Sequence, residues 1–263
     1  MLYNMTPQKH GLGWLPDVPD QRDIIFRPAV LPKLELLPDE IDLRAACPAI
    51  YNQGQLGSCT ANAIGAAFDF DRHKEGGGFM MPSRLFIYYN ERDMEGTVAT
   101  DAGASLRDGI KSLKTIGVAP EREWPYDIAR FTEKPSAQCY TDAEKNQALQ
   151  YQRITTPHDS PLSDMFACLQ EGYPFVTGIS VYESFESDET ARTGIIPIPA
   201  PHEKLLGGHA VLVVGYRRTE EQFICRNSWG TEWGDQGYFY LPFGYLADKG
   251  LANDMWVVKT VEV

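Results

Sequence analysis

Three short segments of this 263-residue chain carry side chains that could do nucleophilic chemistry together. In Asn52-Gln53-Gly54-Gln55-Leu56-Gly57-Ser58-Cys59-Thr60-Ala61 a cysteine stands at the predicted first turn of a helix, where the positive end of the macrodipole favours thiolate over thiol. Two glycines and a serine precede it, so the backbone can approach a substrate closely, and Gln53 offers a side-chain NH2 nearby. In Gly207-Gly208-His209-Ala210-Val211 a histidine opens an apolar strand. A base at a strand mouth can reach across a cleft to a helix terminus. In Arg226-Asn227-Ser228-Trp229-Gly230, Asn227 ends a strand expected to pair with the one His209 begins. Its amide oxygen can accept the Nδ1 proton of His209 and hold the ring with Nε2 facing the thiol. Trp229 can cover that hydrogen bond and keep water off it.

The elements that must position these groups follow from the hydrophobic pattern. Residues 59–74 predict a helix capped by Ser58, with Ala63, Ala66, Ala67 and Phe70 on a close-packing face and glycines 76–78 after it. A second helix follows Pro82-Ser83. A third covers 105–115, with Leu106, Ile110 and Leu113 at helical spacing, and a fourth covers 161–170. Residues 174–181, 209–216, 222–227, 237–241 and 255–261 read as strands, and the run 210–214 is apolar on both faces, as in a strand covered on both sides. Helices first and strands second is the pattern of an α+β chain with two lobes. The expected division is a leader over 1–36 and one domain over 37–263, with a helical lobe at about 48–150 and a strand-rich lobe at about 151–263.

Composition narrows the function class. Apolar residues are 43% of the chain, enough for a core, and the formal net charge is −12. An acidic chain offers no phosphate-binding surface, so nucleic acid is not an expected partner. No stretch approaches the ~20 apolar residues of a membrane span. Residues 1–20 lack the apolar core of a signal peptide, which gives an expectation of a cytoplasmic location, with export by another route left open. The odd cysteine count (Cys47, Cys59, Cys139, Cys168, Cys225) does not read as a disulfide framework. With Cys59 free, the other four could pair in three ways or remain buried and reduced, the preferred reading. His10, His73, His158 and His202 sit in no constellation and read as surface or loop residues; Trp233 and Tyr238 read as core.

Taken together, in order, and with Cys59 and His209 about 150 residues apart, the three segments resemble the papain family of cysteine peptidases. The match runs from about Leu37 to Val263 and is greatest with bacterial members that have short leaders. The resemblance implies a two-lobe fold, helical lobe first, then an antiparallel, barrel-like strand lobe, with the cleft between them. It implies that Cys59 attacks a peptide carbonyl to form a thioester and that His209 protonates the leaving amine and then activates water. Asn227 orients His209, and Gln53 with the Cys59 backbone N–H stabilises the oxyanion, each donor worth ~3 kcal/mol in comparable holes. A peptide or protein is the implied substrate, with no metal or organic cofactor. Gly103, Gly208, Trp229 and Asp254 are the candidate substrate-binding positions: the loop of Asp101-Ala102-Gly103-Ala104 resembles the one where relatives pair substrate backbone antiparallel, and Asp254 falls near the floor of the main specificity pocket, where a carboxylate would favour a basic side chain.

The chain departs from the family pattern in three places. Leu56 stands where many relatives carry a disulfide cysteine, Thr60 replaces the usual aromatic after the nucleophile, and the leader is short. Gly11-Leu12-Gly13-Trp14-Leu15-Pro16 is proline-flanked and extended, so the leader is expected to lie in the cleft of a zymogen, Trp14 or Leu15 filling a pocket; the alternative is a strap packed away from the site. Two other function classes stand beside the peptidase: a catalytically silent binding or regulatory module, and an acyl transferase that passes the thioester to an amine.

Overall fold

A computed structural model describes residues 10–29, 36–155 and 162–261. Two short strands, β1 (Trp14–Leu15) and β2 (Glu40–Asp42), precede α1 (Cys59–Lys74) and α2 (Arg84–Glu95). After β3 (Ala104–Ser105) come α3 (Leu106–Thr115), α4 (Ala137–Ala143), β4 (Ala148–Ile154) and α5 (Ser163–Gln170). Then β5 (Phe175–Tyr182), α6 (Asp188–Thr193), β6 (Leu205–Arg217), β7 (Gln222–Arg226), β8 (Tyr238–Pro242), α7 (Phe243–Ala247) and β9 (Ala252–Val261) complete the chain.

The strand-rich half is one antiparallel sheet in the order β4-β9-β5-β6-β7-β8, with β2 also paired to β6. Its two outer strands, β4 and β8, are not paired to each other among the described residues. The architecture is α+β, papain-like, with helices packed on a twisted sheet rather than on a closed barrel.

Alternation along β6 divides the core. Ala210, Leu212 and Val214 join α1, α2 and α3 in one hydrophobic cluster; Val211 and Val213 join Phe175, Phe223, α5 and Trp229 in another. Every residue from 209 to 216 is buried, as the doubly apolar run requires. The small residues of α1 (Ala63, Ala66, Ala67) let its axis approach the sheet closely.

Several expectations are corrected here. Ser58 precedes α1 but its side chain does not cap it; Oγ pairs with Tyr126 Oη at 2.5 Å and accepts from Asn62 Nδ2 at 3.1 Å. By contrast Ser83 and Ser105 do cap α2 and α3, accepting from Phe86 N and Asp108 N. The strand carrying His209 starts four residues earlier, at Leu205, so His209 is in mid-strand and the two glycines lie inside the ladder. The fourth expected helix begins at Ser163; its expected first residue, Pro161, and His158 lie outside the described residues. β4 and α4 carry too little apolar periodicity to stand out in the sequence. All five cysteines are free thiols.

The segment before residue 36 is not uniformly detached. Phe26 is 1% exposed in the second cluster, and the backbone at residues 24–26 bonds to Arg153 of β4 through Phe26 N–H to Arg153 O (2.8 Å) and Arg153 N–H to Ile24 O (2.7 Å). Phe26→Ala is therefore expected to cost about 3 kcal/mol in urea unfolding. Ile24→Ala, on a side chain 56% exposed, should stay within about 0.5 kcal/mol.

Candidate active site

Cys59 is the first residue of α1 and is fully buried. Helix α1 packs on β6, and the backbone N–H of Ala210, next to His209, donates toward the Cys59 sulfur. His209 is also fully buried. Its Nε2 is 2.8 Å from Asn227 Oδ1, where Nδ1 is expected from the sequence. The ring is thus turned the other way: Nε2–H donates to Asn227, and Nδ1, which has no hydrogen-bond partner among the described residues, is the nitrogen left for the thiol. The reason is that β6 and β7 pair Leu212 with Arg226, so Asn227 lies just past the strand end and meets the far edge of the imidazole. Asn227 Oδ1 also accepts from Ser228 N–H at 2.8 Å, which fixes the amide.

Trp229 stacks on His209 with ring centroids 4.7 Å apart. It is itself held edge-on by Phe185 and Trp233. Trp233, read as core in the sequence, is core that supports this stack.

Gln53 is fully buried and bonded at both ends of its amide. Oε1 accepts from Ser228 Oγ at 2.6 Å; Nε2 donates to Leu56 O and to Gly11 O, both at 2.9 Å. The Gly11 carbonyl belongs to the N-terminal segment, as does the N–H of Gly13, which donates toward the Cys59 sulfur. Next along, Trp14 is 7% exposed, and its indole lies against Gly178, where an added Cβ would stand 1.9 Å from the ring. At Gly208 an added Cβ would come within 2.4 Å of the Trp14 carbonyl oxygen. Gly103, at φ +75°, leaves room for Gly13 O, which accepts from Ala104 N–H at 2.8 Å, and β1 runs parallel to β3 there. Gly178 was not legible in the sequence: nothing in an isolated strand glycine points to a ring lying on it.

Asp254, at the start of β9 with φ +56°, is not an unoccupied carboxylate. Arg153 Nη2 donates to its Oδ1 at 2.7 Å and Asp17 N–H to its Oδ2 at 2.7 Å. Burial, with the neighbouring Asp17, pushes its carboxyl up to about 6. Asp17 in turn accepts from Arg107 N–H and from Trp256 Nε1.

Other residues stand out only in three dimensions. His10, read as a loop residue, stacks on Trp229 at 4.0 Å with ring planes 5° apart and lies 3.8 Å from Glu186. Asp101 accepts from Gly57 N–H with both oxygens (3.1 and 3.0 Å) and from the Tyr88 hydroxyl, which also receives Gly103 N–H at 3.2 Å. That carboxylate ties the turn before Cys59 to the Gly103 loop in a chain that lacks a cysteine at Leu56. Thr60 Oγ1 donates to the buried Glu91 at 2.8 Å, filling the position of the missing aromatic with a polar pair. Among the described residues no cluster of His, Cys, Asp or Glu could hold a metal ion, and no helix is long and apolar enough to cross a membrane.

The electrostatics are those of a closed site. Burial pushes the Cys59 thiol up to about 11, against the pull of the Ala210 and Gly13 N–H groups. Burial pushes the His209 imidazole down to about 4, against its bond to Asn227. Both shifts favour the uncharged thiol and imidazole in this state.

A fold of this kind around a cysteine, histidine, asparagine and glutamine defines a class of thiol-dependent hydrolases. The model of the papain family of cysteine proteases matches residues 37–258. The chain is 42% identical to xylellain, a cysteine protease from Xylella fastidiosa, with a TM-score of 0.86 over 96% of this chain and 97% of that one. It is 38% identical to a peptidase C1-like protein of Acanthamoeba polyphaga mimivirus, over 95% of this chain and 87% of the relative. A procathepsin B from Trypanosoma congolense shares the fold at 19% identity, TM-score 0.71, over 96% and 87% of the two chains. The chain belongs to the papain family and is a cysteine peptidase of that type. Its relatives include a viral protein as well as a bacterial one.

Two outcomes follow from the geometry. Alkylation of Cys59 by iodoacetamide in the intact chain should rise steadily toward strongly alkaline pH, because thiolate forms only near the raised pKa; a plateau at mildly acid to neutral pH, read by intact mass, would contradict the neutral pair. Asp101→Ala should lower stability by about 1.5 kcal/mol in urea unfolding through loss of the Gly57 tether, and Asp101→Asn, which keeps one acceptor, by less.

Proposed function

We propose that this peptidase works through Cys59 as nucleophile and that residues 10–17 hold it latent. The observation that carries the catalytic assignment is the His209–Asn227 hydrogen bond through Nε2, which leaves a buried Nδ1 without a hydrogen-bond partner among the described residues, on the strand packed against the helix that Cys59 begins.

In this reading Nδ1 takes the thiol proton as the sulfur attacks a peptide carbonyl. The same nitrogen then gives the proton to the departing amine, leaving a thioester, and finally draws a proton from water to release the acid. Gln53 Nε2 and the backbone N–H of Cys59 receive the developing oxyanion. Gln53 is suited to this because Ser228 and Leu56 hold its amide, so little reorganisation accompanies the reaction. Asn227 keeps the ring from rotating as its charge changes, and Trp229 shields that bond.

Latency is supported by where the N-terminal segment makes its bonds. The Gly11 carbonyl sits on the Gln53 donor, where a substrate carbonyl would have to sit, and the Gly13 carbonyl takes the Ala104 N–H of the Gly103 loop. Trp14 fills the space over Gly178 and Gly208. The segment runs parallel to β3, opposite to the antiparallel substrate direction the family resemblance implies, so its own peptide bonds are presented backwards to the nucleophile. The similar T. congolense protein is a procathepsin. Gly103 and Gly208 are in this reading the backbone clearances that substrate uses once the segment has left.

Exposure to a peptidyl epoxide under reducing conditions tests the catalytic assignment. The expected result is one adduct on the wild type and none on Cys59→Ala; no adduct in any form of the wild type would sink it. Latency predicts that Trp14→Ala, which gives up roughly 3 kcal/mol of buried indole, labels roughly a hundredfold faster than the intact wild type. Equal rates would mean the segment does not gate the site.

A further inference from the structure

The N-terminal segment is attached to the rest of the molecule in two different ways, and the change comes at a turn. Up to Trp14 its contacts are with the cleft, among them Gln53, Ala104, Gly178 and Gly208, and Asp17 closes that stretch with bonds to Asp254, Arg107 N–H and Trp256 Nε1. From Asp23 onward its contacts are those of body structure. Asp23 accepts from Arg107 (Nε 2.9 Å, Nη2 2.6 Å) and from Arg153 (Nη1 2.9 Å), with both partners' charges held at a buried surface. Phe26 is core, its ring beneath Lys259, and Ala29 N–H donates to Glu171.

Residues 18–22 between these stretches are held almost entirely by themselves. Val18 is 79% exposed and the Arg22 side chain 86%. The Arg22 N–H and guanidinium both donate to Asp20, and Asp23 N–H donates to Asp20 O, closing a turn over residues 20–23. The Val18 carbonyl, which accepts from Arg107 Nη1, is the tie to the body among the hydrogen bonds of residues 18–22 described here. The turn lines two open surface hollows of about 770 and 260 Å³, shared with Ser105, Arg107, Lys111 and Tyr151.

We infer that this turn is the processing site: an endopeptidase acting from outside the molecule hydrolyses the Asp20–Gln21 or Gln21–Arg22 bond, and the chain from about Arg22 onward remains as a permanent arm of the active peptidase. The inference rests on the latency reading above. Water adds across the amide, leaving a carboxylate on the released piece and an amine on the body. The segment already lies in its own molecule's cleft, with Gly11 O on Gln53 and Gly13 O on Ala104 N–H, so the cut comes from another molecule, a second copy of this chain included.

Release follows from tethering. While the chain is continuous, the plug faces its cleft at an effective concentration in the millimolar range for a short linker. Once cut, it is a free peptide at bulk concentration and dissociates on dilution. Removal as far as residue 36 would have a different result. It would strip Asp23 from the buried Arg107 and from Arg153, which would keep only Asp254, and would empty the Phe26 site.

The test treats the full-length Cys59→Ala chain with trace subtilisin, and in a parallel arm with trace wild-type protein, mapping the first new N-terminus by intact mass and N-terminal sequencing. The expected first N-terminus lies at residues 21–22 in the subtilisin arm, the arm at 23–29 stays on the body, and the small piece separates on gel filtration. The same N-terminus in the wild-type arm identifies the second copy as a cutter. A Gln21→Pro, Arg22→Pro double variant should slow that first cut by an order of magnitude without changing the thermal midpoint, because both bonds become X–Pro. A first N-terminus at 30–37, or loss of 23–29 with a body that stays folded, overturns the inference. Wild type processed at the turn should gain epoxide labelling; a cut at the turn with plug release but no labelling would leave the site standing and remove the catalytic reading instead.

Discussion

Everything at the centre of this molecule depends on α1 packing against β6. In the proposed mechanism the nucleophile at a helix N-terminus and the base on a strand come from residues about 150 positions apart, and only close contact of those two elements brings them to one place. The small side chains of α1, together with Ala210 on the facing strand, set how close that contact is. A larger residue at Ala63 or Ala66 would separate helix from sheet and so sulfur from imidazole. The other site groups then fall into place from the sheet: β7 pairs with β6, and its end delivers Asn227, Ser228 and Trp229 to the same edge.

The same packing creates an electrostatic problem. Both Cys59 and His209 are removed from water, and burial favours the neutral form of each. The helix terminus and the N–H groups aimed at the sulfur work in the opposite direction but do not prevail while the N-terminal segment covers the site. Uncovering the cleft readmits water to both groups and lessens the term that holds them neutral. Latency in this reading is therefore both steric and electrostatic: the segment that occupies the donor on Gln53 also helps keep the thiol protonated.

The polar contacts of the N-terminal segment show how a short stretch can be held without a large interface. Asp17 and Asp23 enter a network with Arg107, Arg153 and Asp254, and each buried charge has a counter-charge or backbone donor. Removing one partner from such a network is more damaging than the net worth of the bond, since the remaining charges are left out of water without compensation. Asp23 is thus part of the body as much as of the segment, although in the sequence it lies far ahead of the first globular pattern.

The sequence by itself determined the chemistry and the order of elements. Cys59, His209, Asn227 and Gln53 stand out as candidates because nucleophilic catalysis needs such functional groups, and α1 runs over the residues its apolar spacing and following glycines imply. What only the tertiary structure decided is orientation and company. Whether His209 meets Asn227 at all depends on the β6–β7 register, since one residue of slip would turn the side chain to the other face. That Ser58 bonds to Tyr126 rather than capping its helix, that His10 lies on Trp229, and that Gly178 makes room for an indole are contacts between residues distant in the chain. No local propensity encodes them, because they arise from where the sheet and helices bring distant side chains together.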